Sequence, residues 1–335
     1  MKRQRILVLG AAGFVGRRVV AALAGTDWAV PLAATHRSAL PAGTPGEALR
    51  VDATDAAQLA QALRQADGVV SCVTGPGGTI LDAARALAYA AAGVPPSLRI
   101  VHLSSMAAYG SSTGVVDETA RLLGDLGEYS AAKRDAEGVL SVVPGIVQLR
   151  PGIVYGPGSR EWSRMIGRWL LQRRLGDLGE AGRGTCNLVH VDDVAQAAVL
   201  ALRLPGRQPE AFNLSMPQPP TWNGYFAAYG DALGVPVRRI GALRLRLELS
   251  LLAVPLKAVQ IAARAARSGR ETPEPIRPWL TTLCTHEIRL DVRRAEQQLG
   301  MRWKPLPQGL RETADWLRKE TGSAAPAAVA GLTNR

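Results

Sequence analysis

The sequence predicts an α/β fold, a doubly wound parallel sheet with a smaller C-terminal lobe. Three observations predict it. Short β-like runs alternate with Ala-rich helical stretches over the first two hundred residues, a glycine-rich turn joins the first run to the first helix, and the pattern becomes irregular and proline-rich past residue 205. A chain of 335 residues is long enough for one large domain and a second lobe.

In chain order, Ile6–Leu9, Ala29–Ala33, Leu49–Val51, Gly68–Val73, Arg99–Leu103 and Gly145–Leu149 read as strands. Between them Val15–Ala24, Ala56–Ala66, Ile80–Ala92 and Tyr129–Val139 read as helices. Pro31 sits awkwardly in the second strand, because proline gives no donor to a sheet ladder. Further on, Trp222–Leu233, Asp291–Leu299 and Pro307–Glu320 read as helices, and Arg244–Arg267 is an apolar and basic stretch broken at Pro255. Thr321–Arg335 is mostly small or polar and reads as a disordered tail.

Composition narrows the partners. The net charge is +12 and the pI about 10.3, but the basic residues are mostly Arg scattered among acids. Aromatics are 5 % and not interleaved with basic runs, which argues against nucleic acid. There is no run of 18 or more uncharged apolar residues, which argues against a membrane span, and the basic start leads into an apolar run too short for a signal peptide. Cys72, Cys186 and Cys284 are far apart, as reduced thiols are, and with the scattered histidines they offer no metal spacing. A cytoplasmic protein is the expectation.

The turn after the first strand reads Gly10-Ala11-Ala12-Gly13-Phe14-Val15-Gly16. Glycines at this spacing suit a tight turn, a close backbone approach to a pyrophosphate and a close helix–sheet contact, with the helix N-terminus facing the anion. Placed between a strand and a helix at the start of a βαβ series, the turn indicates a Rossmann-type dinucleotide site. The second strand ends Leu32-Ala33-Ala34-Thr35-His36-Arg37, so alanine stands where a carboxylate would hold a ribose 2′-hydroxyl. Arg37 is within reach of a 2′-phosphate, and NADP(H) is favoured over NAD(H), although a solvated loop arginine would read the same way. Asp52 is placed to accept from an adenine amino group, beside Ala53; a surface aspartate is the competing reading.

Tyr129 and Lys133 lie four residues apart, on one helix face. A tyrosine of ordinary pKa is a poor base at neutral pH, and a lysine charge beside it favours the phenolate, which fits Tyr129 to exchange a proton during hydride transfer. Ser105, just after a strand, is placed to hold a carbonyl or alcohol oxygen against Tyr129. Asp192, Asp193 and His190 read as structural.

In these features the chain resembles the extended short-chain dehydrogenase/reductase family, also described as NAD-dependent epimerase/dehydratases. The matching pieces are Gly10–Gly16, Asp52, Ser104-Ser105 with Tyr109-Gly110, Tyr129 with Lys133, Leu149–Pro157, Val189–Ala195 and Phe212-Asn213-Leu214. The resemblance implies a Ser105–Tyr129–Lys133 active site, with Lys133 also touching the nicotinamide ribose. It places Pro151–Ile153 near the nicotinamide and Cys72 and Val73 at the fourth strand's end among the cofactor contacts. It implies a substrate lobe, Asp192 and Asp193 fastening the two lobes, and in many members a homodimer. The division expected is 1–160 with a return segment near 187–215 for the dinucleotide domain, and 161–186 with 216–320 for the substrate lobe.

Three departures bear on the substrate. Sugar-nucleotide epimerases usually have asparagine at the place of Ile153 and a diphosphate-binding arginine at the place of Cys186, and here the Thr74–Gly78 loop is short. Losing a bidentate arginine weighs against a pyrophosphate, unless Arg164, Arg183 or Arg293 replaces it. Arg244–Arg267 reads as a roof over an apolar substrate pocket, as in the hydroxysteroid dehydrogenase and dihydroflavonol reductase relatives that the chain also resembles, or as core helices. A basic amphipathic helix on a membrane surface is the third reading, against which Glu248 and Pro255 spoil a clean apolar face. The expected activity is NADPH-dependent reduction of a ketone, or the reverse oxidation, by Ser105, Tyr129 and Lys133. The alternatives are a nucleotide-sugar epimerase/dehydratase and a non-catalytic NADP-sensing protein.

Overall fold

The computed structural model describes residues 3–95, 97–206, 208, 210–241, 244, 276 and 279–322. The chain divides into two compact units: Met1–Val154 with Thr185–Pro219 and His286–Lys304, and Tyr155–Gly184 with Pro220–Thr285 and Pro305–Arg335.

The first unit begins β1 (Gln4–Leu9), α1 (Phe14–Ala24), β2 (Ala29–Thr35), β3 (Glu47–Arg50), α2 (Ala56–Leu63), β4 (Gly68–Ser71), α3 (Gly77–Ala91) and β5 (Arg99–Leu103). It continues with β6 (Gly114–Val116), α4 (Glu128–Leu140), β7 (Val147–Pro151) and β8 (Ile153–Tyr155), within which the chain passes to the second unit, and it resumes with β9 (Leu188–His190). Seven strands, all paired in parallel, form one sheet in the order β10-β7-β5-β4-β1-β2-β3, where β10 is Glu210–Leu214. This is the doubly wound, Rossmann-type sheet that the sequence predicts.

The inner strands are mostly apolar because both faces are covered, with Ser71, Arg99, His102, Gln148 and Arg150 as buried polar exceptions. Ile6, Val8, Val70, Val101 and Leu149 pack on one side with Val19 and Val20 of α1, and with Val194 and Ala198 of the helix Val191–Ala201. Leu7, Leu9, Val69 and Ile100 pack on the other with Leu59 of α2, Leu87 of α3 and Ala136 of α4. Burying each Val, Leu or Ile contributes about 1.5–3 kcal/mol, so this double layer supplies most of the unit's stability. Pro31 is tolerated because β2 pairs with β3 only from Leu32 onward, leaving the strand a single neighbour at that point.

Several boundaries differ from the sequence expectation. The third strand starts two residues earlier, at Glu47, on an exposed edge where hydropathy gives no signal. The fourth stops at Ser71, although the Cys72 amide still donates to Leu9 O. The helix expected from Asp291 starts at Arg293, after a local turn in which the Asp291 carboxylate accepts the Arg293 amide. His286–Lys304, expected in the substrate lobe, belongs to the first unit: Ile288–Leu290 forms β11, parallel to β6, and Asn187 bonds the main chain of Ile288 and Leu290.

The second unit contains a π-helical turn over Arg160–Met165 continuing into the helix Ile166–Leu171, and the helices Trp222–Leu233 and Leu306–Thr321. Its core is aromatic: Trp162, Trp222, Tyr225, Phe226 and Tyr229 pack with neighbouring ring centroids 5.8–6.3 Å apart, mostly tilted or edge-on, with Tyr225 and Tyr229 stacked. The Arg244–Arg267 stretch lies outside the described residues apart from Arg244, and so does the tail beyond Gly322. Among the described residues no helix is long and apolar enough to cross a membrane.

Candidate active site

The glycine turn has the close packing its spacing implies. Gly10 is left-handed (φ +74°), and a Cβ there would sit 3.0 Å from Cys72 O. A Cβ on Gly16 would lie 2.2 Å from Gly10 O, so only glycine brings α1 this close to the end of β1. The Ala11 amide donates to Ala34 O, which ties the turn to β2. At α1 the N-cap is Gly13, with no side-chain cap and no acid in the first turn, whereas Asp55 caps α2 by accepting the Ala57 and Gln58 amides. Ala12, Phe14 and Val15 around it are half-buried, and Arg17 stacks over the Phe14 ring.

Past β2, an open groove of about 450 Å³ runs between Thr35–Leu40 and Ala48–Arg50. Arg37 and Arg50 line it, and Ala34 is buried in the strand above, so no carboxylate enters from that position. Asp52 lies beside the groove, beyond Arg50, with Ala53 next to it. Its Oδ1 accepts from both the amide and the hydroxyl of Thr54, which holds its carboxyl below the usual range, with His36 3.4 Å from Oδ2.

The second half of the site is at the C-terminal edge of β5. Ser105 caps the 3₁₀ turn Met106–Tyr109 through its Oγ, which accepts the Ala107 amide at 3.2 Å. Helix α4 is moored to the same edge: Ser130 Oγ donates to Ala107 O, and Lys133 Nζ donates to Leu103 O at 2.8 Å. Tyr129 and Lys133 differ sharply in exposure, 45 % against 2 %, although their ammonium and ring are only 5.8 Å apart. Burial pulls the Lys133 ammonium down to about 8, against the opposing charge of Glu137. Ser105, Tyr129 and Lys133 are thus brought to one strand end, on the side of the sheet where the glycine turn also lies. Cys72 and Val73 follow β4 there, and Pro151 and Ile153 are buried where β7 gives way to β8.

Behind this edge runs a network that reading by spacing missed. Glu137, one turn after Lys133, accepts Arg150 Nε and Nη2, and Arg150 Nη1 donates to the Tyr109 hydroxyl, which donates to Asn213 Oδ1 at 2.7 Å. The pair is buried on both sides; burial works against the Arg150 guanidinium, but the Glu137 carboxylate outweighs it and raises it, while burial pushes the Tyr109 phenol up to about 12. One sequence signal exists: an arginine inside an apolar strand must find a buried acid. At the start of α3, Glu128 Oε1 accepts the Gly77 amide, joining the Thr74–Gly78 loop to the residue before Tyr129.

Cys186 is fully buried. Arg164, Arg183 and Arg293 are each ion-paired, with Glu320, Glu180 and Asp291. His190 is buried and caps the helix Val191–Ala201, its Nδ1 accepting the Asp192 amide. Asp192 and Asp193, expected to fasten the lobes, bond Lys304, and Asp192 also pairs with Arg18, partners that lie in their own unit.

The model of the NAD dependent epimerase/dehydratase family matches residues 6–215. No curated protein matches the chain. Among solved structures, UDP-glucuronic acid 4-epimerase from Bacillus cereus in complex with NAD superposes with a TM-score of 0.70 at 20 % identity, over 97 % of this chain and 99 % of that one. UDP-glucose 4-epimerase from Thermotoga maritima with UDP-glucose gives 0.68 at 19 %, over 95 % and 99 %. The Bordetella bronchiseptica enzyme WbmH in complex with NAD+ gives 0.70 at 16 %, again over 95 % and 99 %. At such identities the likeness shows a shared fold, while the family match spans well over half of the chain. The chain belongs to the NAD dependent epimerase/dehydratase family.

Proposed function

We propose that the first unit holds a nicotinamide dinucleotide along the C-terminal strand ends and that Ser105, Tyr129 and Lys133 serve hydride transfer at a carbinol carbon of a small molecule. The observation that carries this is the buried Lys133 ammonium one helical turn from the half-exposed Tyr129, beside Ser105. The bound dinucleotide would take or give the hydride. Ser105 would hold the substrate oxygen by its hydroxyl, Tyr129 would take or give the hydroxyl proton, and the Lys133 charge would favour the phenolate and hold the ribose. The uncapped start of α1 would face the pyrophosphate.

Family and neighbours favour a redox-neutral version, an epimerase or dehydratase acting on a nucleotide sugar, over the net ketone reduction expected from sequence. Net reduction of an apolar ketone is kept as a second reading by two specific observations: Ile153 and Cys186, both buried, stand where sugar-nucleotide epimerases usually present asparagine and arginine. For the dinucleotide, the neighbours' structures contain NAD, while Ala34, Arg37 and Arg50 favour a 2′-phosphate.

Native mass spectrometry of the purified protein, with calorimetric titration of NADH and NADPH, tests all of this. A retained dinucleotide and turnover of UDP-glucose or UDP-glucuronic acid with no net change at 340 nm supports the epimerase. Exchangeable binding and ketone-dependent oxidation of the reduced dinucleotide supports the reductase. Binding of neither dinucleotide refutes both. An Arg37→Ala enzyme that keeps wild-type NADPH affinity removes the role given to that residue.

A further inference from the structure

Beneath the helix that carries Tyr129 and Lys133, the sheet has polar side chains where a doubly covered parallel sheet ordinarily has aliphatic ones. Ser71 on β4 is the register partner of His102 on β5, and His102 is the partner of Gln148 on β7. All three are buried. With strands about 4.8 Å apart they form one row. Strand alternation puts them on the face shared with Val69 and Ile100, which packs on Ala132 and Ala136 of α4. Ser104, two residues beyond His102, is buried too, and the carbonyl that takes Lys133 Nζ belongs to Leu103 between them.

Most polar atoms of this row lack a partner among the described residues: both ring nitrogens of His102, Ser104 Oγ and Gln148 Oε1. Gln148 Nε2, in contrast, donates to Glu137 O at 3.1 Å. A single orphaned atom is an exception that folds tolerate; four on adjacent positions call for a shared partner. We propose that these atoms line a sealed water site against Lys133, and that His102 is a positioning residue for its ammonium group.

The chemistry of the row fits one or two waters. A neutral imidazole offers one donor and one acceptor, the carboxamide oxygen and hydroxyl offer more, and a buried water makes about three hydrogen bonds. Burial and the Lys133 charge hold the His102 imidazolium down to about 3, so the ring stays neutral and does not repel the ammonium. The groups facing Lys133 are Tyr129 and Glu137 on its own helix, Cys72 after β4 and His102 on β5. Of these only Glu137 is a fixed negative charge, so acceptors delivered by water would support the charged amine on its sheet side. The inference rests on the Tyr129–Lys133 pair proposed above, with His102 two contacts removed from the reacting oxygen.

The test is an ultraviolet difference titration of the Tyr129 phenolate, with Tyr129→Phe as the blank, which requires neither dinucleotide nor substrate. Removing acceptors lowers the fraction of charged Lys133, so His102→Leu should move phenolate formation to higher pH by about one unit. His102→Gln, which keeps a donor and an acceptor, should restore most of that shift, and Gln148→Leu should give a smaller shift of the same sign. An unmoved titration in His102→Leu, or equal shifts in the Leu and Gln variants, overturns the proposal. So does a crystal structure with no ordered water between His102 and Gln148. If His102→Leu does not fold, as judged by circular dichroism, Gln148→Leu and Ser104→Ala decide by the same criterion. Shifts as expected in an enzyme without dinucleotide-linked turnover would refute the proposed function and leave the water site standing.

Discussion

Gly16 and Lys133 are the two residues whose roles the geometry constrains most tightly. Replacing Gly16 by alanine drives a Cβ onto a main-chain oxygen at the turn that would face the pyrophosphate. Gly16→Ala should weaken dinucleotide binding at least about tenfold by calorimetry; unchanged affinity would remove the turn from the site. Lys133 loses its charge near pH 8, and the phenolate beside it loses its support as that charge goes. Turnover should therefore fall above about pH 8, and a flat profile to pH 9.5 would show that the charge does not matter. At this scale the sequence was legible where spacing fixes placement, as in Tyr129 with Lys133 on one helix and the three glycines at one turn. It was silent where partners are distant in sequence: nothing local joins Glu137 to Arg150, or His102 to Gln148, until strand register makes them neighbours.

Among the elements, α4 does the most. One face presents Tyr129 to solvent, the next turn buries Lys133, and the turn after that closes on β7 through Glu137 and Arg150. Breaking a buried pair strands a charge, so Arg150→Met alone should cost about 3–5 kcal/mol in denaturant unfolding, and Glu137→Met with Arg150→Met together distinctly less. Equal losses in the single and double variants would show that the pair is not coupled. Strand positions in the sheet centre were read well because parallel strands covered on both faces are predominantly apolar, even where a buried polar residue such as His102 or Gln148 interrupts the run. The short strands were not: β6 and β11 are three residues each, β6 with only Val116 buried and β11 with exposed Arg289 between buried neighbours, too brief for a period to declare itself.

For the molecule as a whole, stability should depend on pH from two opposite directions. His102 binds a proton in the unfolded chain at about 6.5 but only near 3 when folded, so its contribution is complete above pH 6.5 and is lost as pH falls toward 3. Asp52, Asp117 and Asp125 are held below their ordinary range by hydrogen bonds, and they too lose stabilisation on acidification. Asp193 runs the other way, because burial raises it to about 6: its contribution is complete below 3.8 and is lost as pH rises through 6. Asp193→Asn should therefore raise Tm at pH 8 by a few degrees and do little at pH 4, and the reverse order would contradict the burial assigned to it.

The first unit is assembled from three separate stretches of chain, and every residue given a catalytic role lies in the earliest of them. On the ribosome, Ser105, Tyr129 and Lys133 emerge long before the strand Ile288–Leu290 that pairs with Gly114–Val116, and before Asp291 O and Lys304, which satisfy Asn213 and Asp193. The nascent chain therefore holds the three groups proposed to react on an unfinished scaffold while the first two stretches of the second unit are being made, and the first unit is complete only when residue 304 arrives.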